Sequence, residues 1–258
     1  MPSFFLIFSF VLGTIIGSFL NVVALRYNTG MTLKGRSKCF SCGNSLSWHE
    51  LIPLLSFIFQ KGSCKSCKSK ISWQYPFVEA LAGLCFLMIF YMFPPLTIAS
   101  GITTVFYLIV TCILLIITIY DMKHKIIPDA LSYSFAVIAL AKLFVSPELT
   151  FILPSFMDVL AGPILAAPFA LMWLLSKGTW MGLGDAKLML GIGWVLGLEA
   201  GISAVVLAFW IGAIVSLAWM YIVMRKFKAR YEIPFGPYLI LGMYLVLFFG
   251  IRVIEFPL

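Results

Sequence analysis

The chain is patterned as long apolar runs broken by short polar stretches. The runs are Phe4 to Leu25, Phe77 to Phe93, Ile98 to Tyr120, Ala130 to Val145, Val159 to Leu175, Leu188 to Leu198, Ile202 to Met224 and Phe235 to Ile254. A bilayer crossing takes about 20 apolar residues in a helix, so the pattern predicts an all-α polytopic membrane protein of about eight transmembrane helices. Leu188 to Leu198 is the shortest run, and reads either as re-entrant or as part of a longer tilted helix continuing across Glu199 and Gly201. Weak alternation, and the lack of strands of about ten residues with a dyad period, argue against a membrane barrel. The one extended polar stretch divides the chain into a first transmembrane helix (1–25), a loop (26–76) and a helix bundle (77–258).

Composition narrows the class. Of the 258 residues, 62% are apolar and 11% charged, where a soluble domain has about 25% charged residues. A soluble enzyme, a disordered chain and a secreted disulfide scaffold are excluded on these figures. With the first loop on the cytoplasmic side, all but Lys142 and Arg252 of the 18 lysines and arginines fall inside. They are Arg26, Lys34, Arg36, Lys38, Lys61, Lys65, Lys68 and Lys70, then Lys123 and Lys125, Lys177 and Lys187, and finally Arg225, Lys226, Lys228 and Arg230. This asymmetry orients the bundle by the positive-inside rule. The net charge of +8 therefore requires no nucleic acid, because these bases lie where they attract anionic inner-leaflet lipid. The first run is too long for a signal-peptide core and its basic residues follow it rather than precede it. It reads as an uncleaved helix with both chain termini outside.

Four of the six cysteines sit in the polar loop, as Cys39-x2-Cys42 and Cys64-x2-Cys67 with 21 residues between the pairs. Each pair supplies two sulfurs from one tight turn, helped by Gly43 and Gly62, and two such turns make a tetrahedral thiolate site. The loop faces a reducing compartment, where disulfides rarely persist. The reading is a structural zinc site, with a redox dithiol or an iron centre as alternatives. Four thiolates leave no open coordination position, so the metal holds the loop together. Cys85 and Cys112 lie in the runs and read as small apolar core residues.

Only ten residues are acidic. Glu148, Asp158, Glu199 and Glu255 fall at outer helix ends and Glu50 and Glu232 in loops, where solvation is their ordinary role. Glu79, Asp121, Asp129 and Asp185 lie at membrane margins. Asp121 follows the third run and Asp185 precedes the sixth, so both are expected at cytoplasmic helix ends although 64 residues apart. Ionisable groups at such depth are costly and mark function, and two aspartates brought together can share a proton and divide the base and acid roles of an aspartic protease. Gly182 and Gly184 beside Asp185 let a substrate backbone approach. A capping role is the structural alternative: Asp185 on the sixth helix with Lys187 snorkelling beside it, and Asp129 after Pro128 on the fourth. Glu79, at the start of the second run, reads in the same way as the partner of a nearby Lys or Arg.

These motifs together resemble the type IV prepilin leader peptidases, membrane aspartic proteases of the GxGD kind that are also N-methyltransferases. The resemblance rests on Gly17-Ser18-Phe19-Leu20-Asn21-Val22-Val23 with Arg26, the double Cys-x-x-Cys, and Ile71-Ser72-Trp73-Gln74-Tyr75-Pro76-Phe77-Val78-Glu79. It continues through Asp121 to Ile127-Pro128-Asp129, Gly182-Leu183-Gly184-Asp185-Ala186-Lys187-Leu188 and Pro234-Phe235-Gly236-Pro237. This chain has Tyr27-Asn28 where the family usually has a Pro, and Gln74 where it usually has Arg. The resemblance implies a bacterial inner-membrane enzyme with Asp121 and Asp185 as its catalytic pair. Its substrates would be prepilins or prepilin-like proteins of pilus or type II secretion systems. It would cut a basic leader on the cytoplasmic side at a Gly-Phe type junction, then methylate the new N-terminus with S-adenosylmethionine, with Glu79 the candidate for methyl transfer. A peptidase without methyltransferase activity is the alternative within the class. Outside it stand a proton- or cation-coupled transporter, which predicts charges near the midplane and paired broken helices, and a non-catalytic zinc-ribbon scaffold, which leaves both aspartate motifs unused.

Overall fold

A computed structural model describes residues 3–30, 32, 35–146, 148–224 and 233–253. The basic residues Lys34, Arg225, Lys226, Lys228 and Arg230, with Glu232 and Glu255, lie outside the described residues, as do the termini. The regular elements among the described residues are all helices, with no named strand and three isolated β-bridges. They fall into two compact units, Met1–Ile116 and Ile117–Leu258.

In the first unit, α1 (Ser3–Arg26) packs along α3 (Gln74–Met92). The contact is close because small residues meet there: a β-carbon on Gly13 would stand 2.6 Å from the Ala82 carbonyl oxygen, and one on Gly83 2.8 Å from the Phe10 ring. Small residues let apolar helices gain dispersion contacts where lipid removes any hydrophobic driving force between them. Between the two helices run the cysteine turns, a short 3-10 turn (Trp48–Leu51) and the five-residue α2 (Leu55–Phe59). The long α4 (Ile98–His124) leads out of this unit into the second.

The second unit holds α5 (Asp129–Leu143), α6 (Phe156–Ser176), α7 (Leu183–Leu196), α8 (Leu198–Trp219) and α9 (Gly236–Phe249). Helix α7 lies between α5 and α6, and α8 packs on α9. Its largest fully buried side chains include Ile117, Phe135, Leu188, Met189, Ile192, Leu239 and Met243. Trp194 donates its indole N–H to the Val159 carbonyl at 2.9 Å, tying α7 to α6.

Each of the eight apolar runs forms a helix, and five helices are long and apolar enough to cross a membrane: α1, α3, α4, α6 and α8. This is the build of a polytopic membrane protein. Helices α5, α7 and α9 have 15, 14 and 14 residues; at about 1.5 Å per residue, 14 residues reach ~21 Å of a hydrocarbon core ~30 Å thick. The run from Phe235 to Ile254 is shortened because Gly250, at φ +63°, ends α9. Helices α7 and α8 do not merge into one tilted span either, since Gly197, at φ +78°, breaks the chain between them.

Candidate active site

Asp121 lies in the last turn of α4 rather than beyond it, and Asp185 in the first turn of α7 rather than before it. Both are buried, and the two carboxyl groups are close enough to interact electrostatically. The Gly236 backbone N–H, at the start of α9, faces the Asp121 carboxyl group. Two helix N-termini, of α7 and α9, therefore converge on a pair of acidic groups, the polarity that a helix dipole favours. Among the described residues, Asp121 Oδ2 is the buried side-chain oxygen without a hydrogen-bond partner. Buried polar atoms are rarely left unpaired, so this oxygen marks a place where a further donor or acceptor fits.

Two glycines and one isoleucine pack closely beside the pair. A β-carbon on Gly236 would stand 2.8 Å from Asp121 Oδ2 and 3.1 Å from the Ile127 side chain; one on Gly184 would stand 2.7 Å from Ile127 Cβ. Buried Ile127 thus fits against the bare backbones of α7 and α9 and leaves no room for larger residues. Residue-by-residue reading missed the parts played by Ile127 and Gly236. The available signal was that each stands directly before a proline, Pro128 and Pro237.

The capping roles are not found. The N-cap of α7 is Gly182, without a side-chain cap, and that of α5 is Pro128. Asp129 instead accepts a hydrogen bond from Lys187 Nζ at 2.7 Å, and the same ammonium lies 5.0 Å from the centre of the Tyr133 ring. Elsewhere, Glu50 and Asp158 close capping boxes with Ser47 and Ser155. The backbone N–H and hydroxyl of Ser47 hold Glu50 below the ordinary carboxylate range.

In the first unit, Glu79 is buried, and among the described residues its partners are a backbone N–H and a hydroxyl rather than a Lys or Arg. It accepts the Leu54 backbone N–H at 2.8 Å and the Ser18 hydroxyl. Leu54 has φ +61° and ψ −51°, and Leu55 N–H reaches back to the Pro53 carbonyl at 2.6 Å. This is a γ-turn of the rare, strained hand, fixed from outside by the glutamate.

The four loop cysteines come together, with all four Sγ atoms within 4.8 Å of one another and Cys39 and Cys67 at 3.8 Å. They are not joined in disulfides. The two turns are built alike: Cys39 N–H donates to Asn44 and Gly43 N–H to Cys39, while Cys64 N–H donates to Ser69 and Lys68 N–H to Cys64. The backbone N–H groups of Cys42 and Ser41 hold the Cys39 thiol well down, at about 6. Cys42 accepts the Asn44 N–H, which lowers it, yet is pushed up to about 11 by desolvation and the neighbouring sulfurs. Tetrahedral bonds of about 2.3 Å place sulfurs ~3.8 Å apart, so the cluster fits a zinc ion, whose charge would relieve this crowding.

Comparison with known proteins gives one consistent family. A profile described as bacterial peptidase A24 N-terminal domain matches residues 11–93, and one described as type IV leader peptidase family matches residues 108–217. A prepilin leader peptidase/N-methyltransferase of Bacillus subtilis is 31% identical over 257 residues, covering 96% of this chain and 95% of the relative. The one of Vibrio cholerae is 30% identical over 266 residues, covering 98% and 99%. The one of Myxococcus xanthus is 31% identical over 219 residues, covering 83% and 62%. No solved structure matches the chain.

Proposed function

Because the chain belongs to the type IV leader peptidase family, we propose that it is a membrane aspartic endopeptidase that removes the basic leader of prepilins or prepilin-like proteins and then methylates the new N-terminal residue. The observation that carries the proteolytic reading is the juxtaposition of Asp121 and Asp185, buried together with Asp121 Oδ2 unpartnered. Two such carboxyl groups cannot both ionise easily, so the pair holds one proton between them. The ionised member takes a proton from a water as its oxygen bonds to the scissile carbonyl carbon. The protonated member gives its proton to the carbonyl oxygen. When the C–N bond breaks, the first carboxyl returns its proton to the leaving amine, and the proton on the new acid group's oxygen restores the second. No covalent enzyme species forms, and the two roles belong to the pair rather than to either residue.

The orientation follows the lysine and arginine distribution, with the loop and both aspartates on the cytoplasmic side of the bacterial inner membrane. There the leader of an incoming prepilin would emerge. We take the eight apolar helices as membrane-embedded, with α5, α7 and α9 too short to fill the core alone. Their shortness leaves space for water and polar backbone at one end, which we place at Asp121 and Asp185. Both aspartates stand in terminal turns, unlike the midplane charges of a transporter.

Cys39, Cys42, Cys64 and Cys67 would hold one zinc ion as a closed structural site. S-adenosylmethionine, when bound, supplies the methyl group that passes to the freed amine; Glu79 is the residue we assign to that half-reaction. The deciding experiment incubates the purified chain with a leader-bearing prepilin and S-adenosylmethionine and weighs the product N-terminus. Cleavage at the leader junction with one added methyl group supports the proposal. An intact leader sinks it, and a cleaved but unmethylated product restricts it to the peptidase.

A further inference from the structure

The segment from Trp48 to Phe59 lies in the polar loop, yet it presents apolar side chains outward. Trp48 is 70% exposed, Ile58 66% and Phe59 81%, and Trp73, just before α3, is 77% exposed. Single exposed apolar residues are ordinary; a run of them on two short helical turns needs a partner. Its height is fixed by the Glu79 contact, since the carboxylate that accepts the Leu54 N–H belongs to the second turn of α3, where that candidate membrane span begins. The Phe57 and Trp73 rings meet at 4.8 Å between centroids, which ties the segment to the same end of α3. Phe77, in the first turn of α3, is exposed as well. Immediately after the segment come Lys61, Lys65, Lys68 and Lys70, all exposed.

We infer that residues 48–59 form a monotopic arm that lies in the membrane interface at the entry to α3, with Trp48, Ile58 and Phe59 among the acyl chains and the four lysines on anionic headgroups. Tryptophan, here Trp48 at the start of the arm and Trp73 against its Phe57 ring, is the side chain that interfaces favour, and an apolar face beside a basic cluster is the pattern of an interfacial anchor. The strained turn at Leu54 is explained by this arrangement. It bends the arm between its two helical pieces, and buried Glu79 holds that bend against the first unit's own helix pair. The cysteine turns on either side are thereby kept at a set distance from the bilayer. The inference requires only lipid contact, so it stands or falls apart from the peptidase reading.

The test places a photoreactive p-benzoylphenylalanine at Phe59, at Trp48 and, as a control, at exposed Ser41, in the full chain held in lipid discs of phosphatidylcholine with or without phosphatidylglycerol. After illumination, mass spectrometry identifies what each position has captured. The inference expects phospholipid adducts at positions 59 and 48 in several-fold excess over position 41. Capture should rise with phosphatidylglycerol, and that rise should shrink by up to about fivefold for each lysine replaced in a K61Q/K65Q/K68Q/K70Q variant. Capture of peptide from this chain, no adduct, or equal lipid capture at position 41 overturns the arm. A phosphatidylglycerol effect that survives the four substitutions overturns the assignment of the lysines.

Discussion

Lys187, two residues beyond Asp185 on α7, has its ammonium on Asp129 at 2.7 Å, so a positive charge close in sequence to the candidate active site is held by the first turn of α5. Asp129 is largely exposed, and such pairs add under about 1 kcal/mol to stability. Its larger effect is on placement. Removing the pair with K187M should lower Tm little but reduce kcat for prepilin cleavage by about tenfold to a hundredfold, because small displacements of a reacting group are costly. K187R should retain most of the rate, since a guanidinium can still reach Asp129. Steady-state assays of both variants check this, and an unchanged kcat in K187M would show that the pair does not position Asp185.

Asp121 and Asp185 should behave as a unit. D121N and D185N are each expected to lose prepilin cleavage by about 10⁴-fold, with the double variant no slower, as groups sharing one step are non-additive. Neither variant should lower Tm, because each removes one of two carboxyl groups buried against each other. Cleavage assays and thermal unfolding of the three purified variants decide it. Activity persisting in either single variant would falsify the pair.

Gly236 bears on the same pair from α9. A β-carbon there would approach Asp121 Oδ2 to 2.8 Å and Ile127 to 3.1 Å, so G236A must displace the carboxyl group or the helix. Overpacking of this kind costs about 1–3 kcal/mol. The expected signature is a fall in kcat larger than any change in KM, with the chain still inserted in the membrane. Wild-type kinetics for G236A would mean that the site has slack the structure does not display.

The cysteine loop should carry about one zinc per chain, released by acid or chelator because each thiolate must stay deprotonated to bind. Any one of C39S, C42S, C64S or C67S should lower metal content and loosen the loop to proteolysis between residues 39 and 67. Metal analysis of the native chain and the four variants checks this. A metal-free preparation with a protease-resistant loop would refute a structural metal.

Much of this was legible along the chain because it depends on local pattern. Eight apolar runs became eight helices, since a run of apolar residues in lipid must satisfy its backbone internally. Each cysteine turn was legible because it is closed by its own backbone bonds, and a side-chain bond from Asn44 to Ser66 links the two. The partners of the acidic residues were not legible. Asp129 looks like a cap in sequence, yet Pro128 holds that position and Lys187, 58 residues away, lies within reach. Glu79 looks like half of a surface ion pair, yet its partner is a backbone N–H 25 residues earlier, set by how the loop folds back on α3. Tertiary packing selects such partners, and no period or motif encodes them. The lengths of α5, α7 and α9 depend likewise on where the backbone turns, at Gly250 for instance, and not on hydropathy.

Glu79 combines a backbone role and a candidate chemical role, and two substitutions separate them. In E79Q the amide oxygen still accepts the Leu54 N–H while the negative charge is gone; in E79A the strained turn at Leu54 loses its external partner and should relax, at about 1–3 kcal/mol for an unmet buried hydrogen bond. If the carboxylate serves methyl transfer, E79Q should cleave prepilin and keep its zinc yet leave the product unmethylated. E79A should in addition show a loosened loop, read as faster proteolysis around residues 48–59. If E79Q methylates normally and only E79A fails, Glu79 acts solely by holding the turn, and the carboxylate is removed from the methyl-transfer chemistry. Product mass and limited proteolysis, measured on the same two preparations, give either answer.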